Sequence, residues 1–210
     1  MAVDAAVLTL RDSTLEVLIA TPATGPFAGG AALPGGRVQA GEPLDAAAAR
    51  ELAEHSGLTD LHLEQLYTFG SPGRDPRGHV VSVTYLGLTA PTMLTLPSGK
   101  YTALDWYPVS GLPTLAYDHR AVVEIAAGRL RAKLRYTNLA YGLLPDAFTL
   151  GELQAVYETV LERSLDRRNF RKKILSLGWL RPLASKRRGA HRPATLYEFR
   201  ERQPREIDVL

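Results

Sequence analysis

Apolar and polar positions alternate with two different periods along the 210-residue chain, and the switches between them mark out its elements. Residues 2–10 and 16–20 are runs of Val, Leu, Ile, Ala and Thr separated by Arg11-Asp12-Ser13, a pattern that predicts an opening hairpin. A loop of Gly, Pro and Ala at 22–30 leads to residues 31–34, expected as a short strand feeding a glycine turn. There the period changes. Leu44, Ala47, Ala48 and Leu52 recur at helical spacing behind Pro43 and Asp45, which both suit a first turn, and Gly57 stops the helix. Extended runs return at 61–69, 79–88 and 103–108, with residues 70–78 as a loop between the first two. Residues 117–134 then carry Val122, Val123, Ile125, Ala126 and Leu130 as the apolar stripe of a second helix.

The last third has its own plan. Thr149 and Glu152 form a capping-box pair, and Leu150, Leu153, Val156, Tyr157, Val160 and Leu161 follow at helical spacing. After a turn at 162–165, Asp166 caps a helix over 167–177 that turns Phe170, Ile174 and Leu177 inward and ends at Gly178. Strands at 179–183 and 194–199 flank the basic stretch 186–193. A helix, a short turn, a basic helix and a basic hairpin make a winged helix-turn-helix plan. The chain therefore divides into residues 1–140 and 141–210, with the boundary inside 135–146.

Charge sharpens that division. The net charge is +3, but residues 146–210 hold 14 Lys and Arg against 9 Asp and Glu, which leaves the first 145 residues at −2. A basic C-terminal third predicts a polyanionic partner, and double-stranded DNA fits Arg167, Arg168, Asn169, Arg171, Lys172 and Lys173 on the second helix with Lys186, Arg187, Arg188, His191 and Arg192 on the wing. A basic module that binds RNA or protein is the alternative. Cysteine is absent, so there is no disulfide or thiolate chemistry, which suits the cytoplasm. No apolar run approaches the roughly 18 residues of a membrane span, so no membrane partner is expected.

Glu51, Glu54 and His55, at i, i+3 and i+4, project from one face of the first helix. Such carboxylates suit Mg²⁺, which takes oxygen ligands and bridges to phosphates; the same spacing also suits a merely solvated helix face. The full pattern is more specific: Gly36, five residues, Glu42, seven residues, then Arg50-Glu51-Leu52-x-Glu54-x-x-Gly57-Leu58. It resembles the Nudix box, which binds a divalent metal and hydrolyses nucleoside diphosphates linked to another moiety. The resemblance assigns Gly36, Glu42, Arg50 and Gly57 a structural part and Glu51 and Glu54 the metal. The second glutamate of the box is His55 here, which removes a hard oxygen ligand, so diphosphate binding is expected to persist with hydrolysis weak or absent.

Residues 67–77 are also similar to the matching segment of Nudix proteins that handle ADP-ribose, and this points to Arg74 and Arg77, with Arg37, Glu51 and Glu54, as effector contacts. Together with Leu165-Asp166-x-Arg168-Asn169-Phe170-Arg171-Lys172-Lys173-Ile174 and Arg188-Gly189-Ala190-His191-Arg192-Pro193-Ala194, the whole chain resembles the Nudix-related transcriptional regulators of NAD metabolism. The resemblance implies an α+β protein, a Nudix-like α/β/α sandwich with a C-terminal winged helix-turn-helix domain. It further implies a homodimeric repressor on a palindromic operator, released by ADP-ribose or a related NAD derivative. The alternative is an active ADP-ribose or nucleoside-diphosphate hydrolase with an accessory nucleic-acid-binding domain.

Overall fold

A computed structural model describes residues 1–95, 99–187 and 193–206. Arg188, His191 and Arg192, expected on the wing, lie outside the described residues.

Strand β1 (Ala2–Arg11) is the centre of the first sheet, whose order is β4 (His62–Phe69), β5 (Ser82–Leu88), β1, β2 (Thr14–Pro22), β6 (Tyr101–Pro108). The expected hairpin of β1 and β2 forms, turning through Asp12 and Ser13 at positive φ. Strand β5 runs parallel to β1, and the other pairings are antiparallel. Burial on both faces explains why β1 reads as an almost unbroken apolar run. Val3, Ala5 and Val7 face α1 (Leu44–Ser56) through Ala47, Ala48 and Leu52. Ala6 and Leu8 face the other way, into the core built on Val122, Val123, Ala126 and Leu130 of α2 (His119–Lys133). The sheet thus lies between helices as expected of an α/β/α sandwich.

The short strand expected at 31–34 is displaced. Residues 31 and 32 make only isolated bridges, and β3 (Gly35–Arg37) pairs with Ala2–Asp4 of β1. The reason is steric: a Cβ at Gly35 would collide with the Val3 carbonyl, so the glycines allow β3 to lie close against β1. Strand β5 begins at Ser82 rather than 79, and α2 begins at His119 rather than 117, because Tyr117 takes a left-handed conformation at φ 53°.

The C-terminal part follows its expected order with one addition, β7 (Phe148–Thr149). This two-residue strand pairs with β9 (Ala194–Phe199), which pairs in turn with β8 (Leu180–Arg187). Helix α3 (Leu150–Leu161) starts at the complete Thr149–Glu152 capping box, and α4 (Arg167–Ser176) starts where the Asp166 carboxylate accepts from Asn169 N at 2.8 Å. Residues 135–146 are not an exposed linker. Leu139, Ala140 and Leu143 of a 3₁₀ turn are buried, and one core runs from β1 and α2 through them to Phe148, Val156, Ile174 and Phe199. A strap closes over this turn: Asn138 donates to the Gln203 carbonyl at 3.0 Å and accepts from Arg205 N at 2.8 Å, while Arg202 donates to the Tyr141 and Leu144 carbonyls.

Candidate functional site

The box residues form an ion-pair chain around Arg50. Its Nε donates to Glu42 Oε1 at 2.7 Å, Nη2 to Glu42 Oε2 at 3.0 Å and to the Arg37 carbonyl at 3.2 Å, and Nη1 to Glu51 Oε1 at 2.9 Å. The Glu42 carboxyl is accordingly held below its usual range, first by Arg50 and then by Gln39 N. Gly36 leaves room for the Glu51 carboxylate, which a Cβ at this position would displace. Glu51 is buried, and its second oxygen accepts from Lys100 Nζ. Tyr101 fixes the other side of the turn, accepting from Gly35 N at 3.0 Å and donating to the Gly35 carbonyl at 3.1 Å.

Glu51, Glu54 and His55 do gather on one face, with His55 Nε2 at 3.7 Å from Glu51 and 3.9 Å from Glu54. Burial, then the nearby Lys100, lowers the His55 pKa below its ordinary value despite the two glutamates, so the ring is neutral near pH 7. The donor set does not fit a divalent cation. Both Glu51 oxygens are held by cationic side chains, Glu54 is half exposed with Arg50 3.5 Å away, and no group of three His, Asp or Glu side chains gathers for a metal among the described residues.

Beside the box opens a cavity of about 490 Å³, within the size range of small-molecule sites. Gly36, Arg37, Lys100 and Tyr101 line one end; Arg74, Arg77, Tyr117 and His119 line the other. The structure therefore brings the expected Arg37 together with Arg74 and Arg77, which follow it by 37 and 40 residues in sequence. Glu51 and Glu54 are not part of the lining.

The arginines differ in kind. The Arg74 side chain is only 3% exposed, and its guanidinium makes a two-pronged pair with Asp118 at 2.8 and 2.6 Å. Arg77 is half exposed; it holds the buried Asp75 at 2.6 Å and donates to Tyr117 Oη at 3.3 Å. Tyr117 stands between Phe27, at a ring-centroid distance of 4.5 Å, and His119, at 5.0 Å, with both guanidiniums about 6 Å from its ring. His119 Nδ1 accepts from Leu33 N at 2.9 Å, which leaves Nε2 buried, 3.6 Å from Asp4 and without a hydrogen-bond partner among the described residues. Burial would raise the Asp4 carboxyl, but His119, Ser82 and Arg74 outweigh it and lower it. Lys100, Tyr101, Tyr117 and His119 were not expected at the site. The aromatic residues 101 and 117 beside predicted element ends were the only local signal for any of them.

The second site is the surface of α4. Phe170 and Ile174 are buried, whereas Arg167, Arg168, Asn169, Lys172 and Lys173 are exposed. Arg171 is half buried. None of the five basic residues makes an ion pair among the described residues. Of the wing residues, Lys186 is exposed, but Arg187 folds back onto Glu152 and the Ala147 carbonyl.

Comparison with known proteins gives concordant matches. Residues 1–124 match the family model of the NUDIX domain and residues 140–199 that of the NrtR DNA-binding winged helix domain. The chain is 33% identical over 203 residues, covering 95% of this chain and 81% of the relative, to the ADPR responsive transcriptional repressor NtrR of Acinetobacter baylyi. Among solved structures it is similar to Shewanella oneidensis NrtR complexed with a 27mer DNA, at 32% identity and a TM-score of 0.86, with 95% of this chain and 93% of that one covered. It is also similar to the NUDIX domain of the same protein complexed with ADP ribose, at 34% identity and a TM-score of 0.58 over 61% of this chain and 86% of that one.

Proposed function

Because the chain belongs to the NrtR family, in which a Nudix domain precedes a winged helix, we propose that it is a DNA-binding repressor of NAD biosynthesis or salvage genes, released when ADP-ribose fills the Nudix-like cavity. The observation that carries this reading is one chain holding both a nucleotide-sized cavity framed by Arg37, Arg77 and Tyr117 and a helix whose cations make no ion pair among the described residues. Residues 1–140 form the effector-binding unit and residues 141–210 the DNA-binding unit of a cytoplasmic homodimer.

Arg37 and Arg77 bind the diphosphate, and the Tyr117 ring stacks on a planar ring of the ligand. Arg74, consumed by Asp118, holds the cavity wall. On α4, Arg167, Arg168, Lys172 and Lys173 meet backbone phosphates and base edges in a major groove, and two subunits read the half-sites of a palindrome. Release requires ADP-ribose to bind the free arrangement of the dimer more tightly than the DNA-bound one, since equal affinity would move nothing. The buried turn 139–143 and its strap provide a stiff connection through which a shift in the first unit reaches α4.

His55 in place of a glutamate supports a sensor that leaves its ligand intact. Calorimetric titration with ADP-ribose, followed by chromatography of the nucleotide, tests this. Stoichiometric binding with ADP-ribose recovered whole is expected; turnover at enzymatic rates would make the protein a hydrolase instead.

A further inference from the structure

Resting on the reading of the cavity as a diphosphate site, we propose that Lys100 is a built-in replacement for the cation of the box, so that the effector is bound without a divalent metal. Lys100 immediately precedes β6, far from the box in sequence, and its backbone carbonyl is fixed by Ala23 N at 2.9 Å. Its ammonium reaches Glu51 Oε2 while its side chain also lines the cavity and remains 32% exposed. It thus joins the buried carboxylate to the cavity lining, 5.6 Å from the centre of the Tyr101 ring.

An ammonium has three N–H donors. One meets Glu51, which leaves two for diphosphate oxygens. With Arg50 on the other Glu51 oxygen, the charge of that carboxylate is already balanced, so a divalent ion would have to displace Lys100 and then stand against the displaced charge. Glu54 offers only a half-exposed carboxylate, and His55 a nitrogen, to which Mg²⁺ binds poorly. The lysine thus supplies the charge neutralisation of a bound cation without its power to activate water.

The test uses the full-length protein and two probes. Electron paramagnetic resonance with Mn²⁺ alone reads the metal directly: the wild type is expected to bind it at least about tenfold more weakly than Lys100→Met, in which Glu51 Oε2 is freed while Arg50 keeps Oε1. Calorimetry with ADP-ribose reads the consequence. Wild-type affinity stays the same in EDTA and in Mg²⁺; Lys100→Met loses about tenfold in EDTA and recovers part of it with Mg²⁺, while Lys100→Arg, which keeps the charge, remains metal-independent. Wild-type protein that binds Mn²⁺ as tightly as Lys100→Met, or that binds ADP-ribose only with Mg²⁺, would overturn the proposal. If ADP-ribose binds under no condition, the effector reading fails, and the Mn²⁺ comparison still decides the role of Lys100.

Discussion

Helices α1 and α4 are both strongly charged on one face, yet their charges are used in opposite ways. Around α1, Glu42, Glu51 and Glu54 are met by Arg50 and Lys100 within the same domain. On α4, Arg167, Arg168, Lys172 and Lys173 point outward with no carboxylate to meet them among the described residues. A charge that is paired inside the fold builds and holds a site. A cluster of like charges left unpaired tolerates its self-repulsion only in solvent, and it binds a polyanion with release of counterions.

The largest expected departure from this contrast comes from unpairing α1. Arg50→Ala leaves Glu42 and the buried Glu51 without their shared partner and should lower the midpoint of chemical denaturation; an unchanged midpoint would mean that the ion pairs contribute little. On α4 the same kind of change should spare the fold. Arg168→Ala combined with Lys172→Ala should weaken operator binding by about tenfold or more at moderate salt and flatten the log–log salt slope by about 2, with thermal stability unchanged. If the slope is unaffected, these side chains are not on the phosphates.

Tyr117 refines the comparison inside the cavity. Because it sits at φ 53°, Tyr117→Gly relieves a strained backbone while removing the ring, so stability should change little and ADP-ribose affinity should fall by about fivefold in calorimetry. A loss of stability with affinity intact would make the tyrosine a packing residue. The smallest effect concerns acid. Burial would raise the Glu64 carboxyl, but hydrogen bonds from His62 and Lys133 overcome it and bring it down to about 2. A lowered native pKa stabilises the fold above the unfolded value and is lost as protons bind, here between about 4.5 and about 2. Glu64→Gln should therefore flatten the stability–pH curve in that window; an identical acid limb would remove Glu64 from the account.

What the sequence disclosed was whatever is local. The box reads from Gly36 to Gly57 because a glycine turn, an arginine and three carboxylates are set by one turn and one helix; the capping box and the Asp166 cap are likewise contiguous. The cavity is not. Lys100 meets Glu51 across 49 residues, and Leu33 meets His119 across 86, pairings made by strand order rather than by periodicity. Arg74 and Arg77 look alike three positions apart and each holds an aspartate, but the fold buries Arg74 against Asp118 in the wall and leaves Arg77, on Asp75, half exposed at the cavity. Tyr117 read as helix because its left-handed backbone leaves no mark on the apolar stripe. β7 is too short to carry a period of its own.

In the proposed function one chain couples a nucleotide cavity to a DNA-reading helix, and fluorescence anisotropy reads that coupling on labelled duplexes from upstream of NAD synthesis genes, titrated with ADP-ribose at fixed moderate salt. Tight binding to a palindromic duplex is expected, reversed by ADP-ribose and weakened about tenfold or more by Arg168→Ala with Lys172→Ala. Equal binding to every duplex, or operator binding indifferent to saturating ADP-ribose, would contradict it.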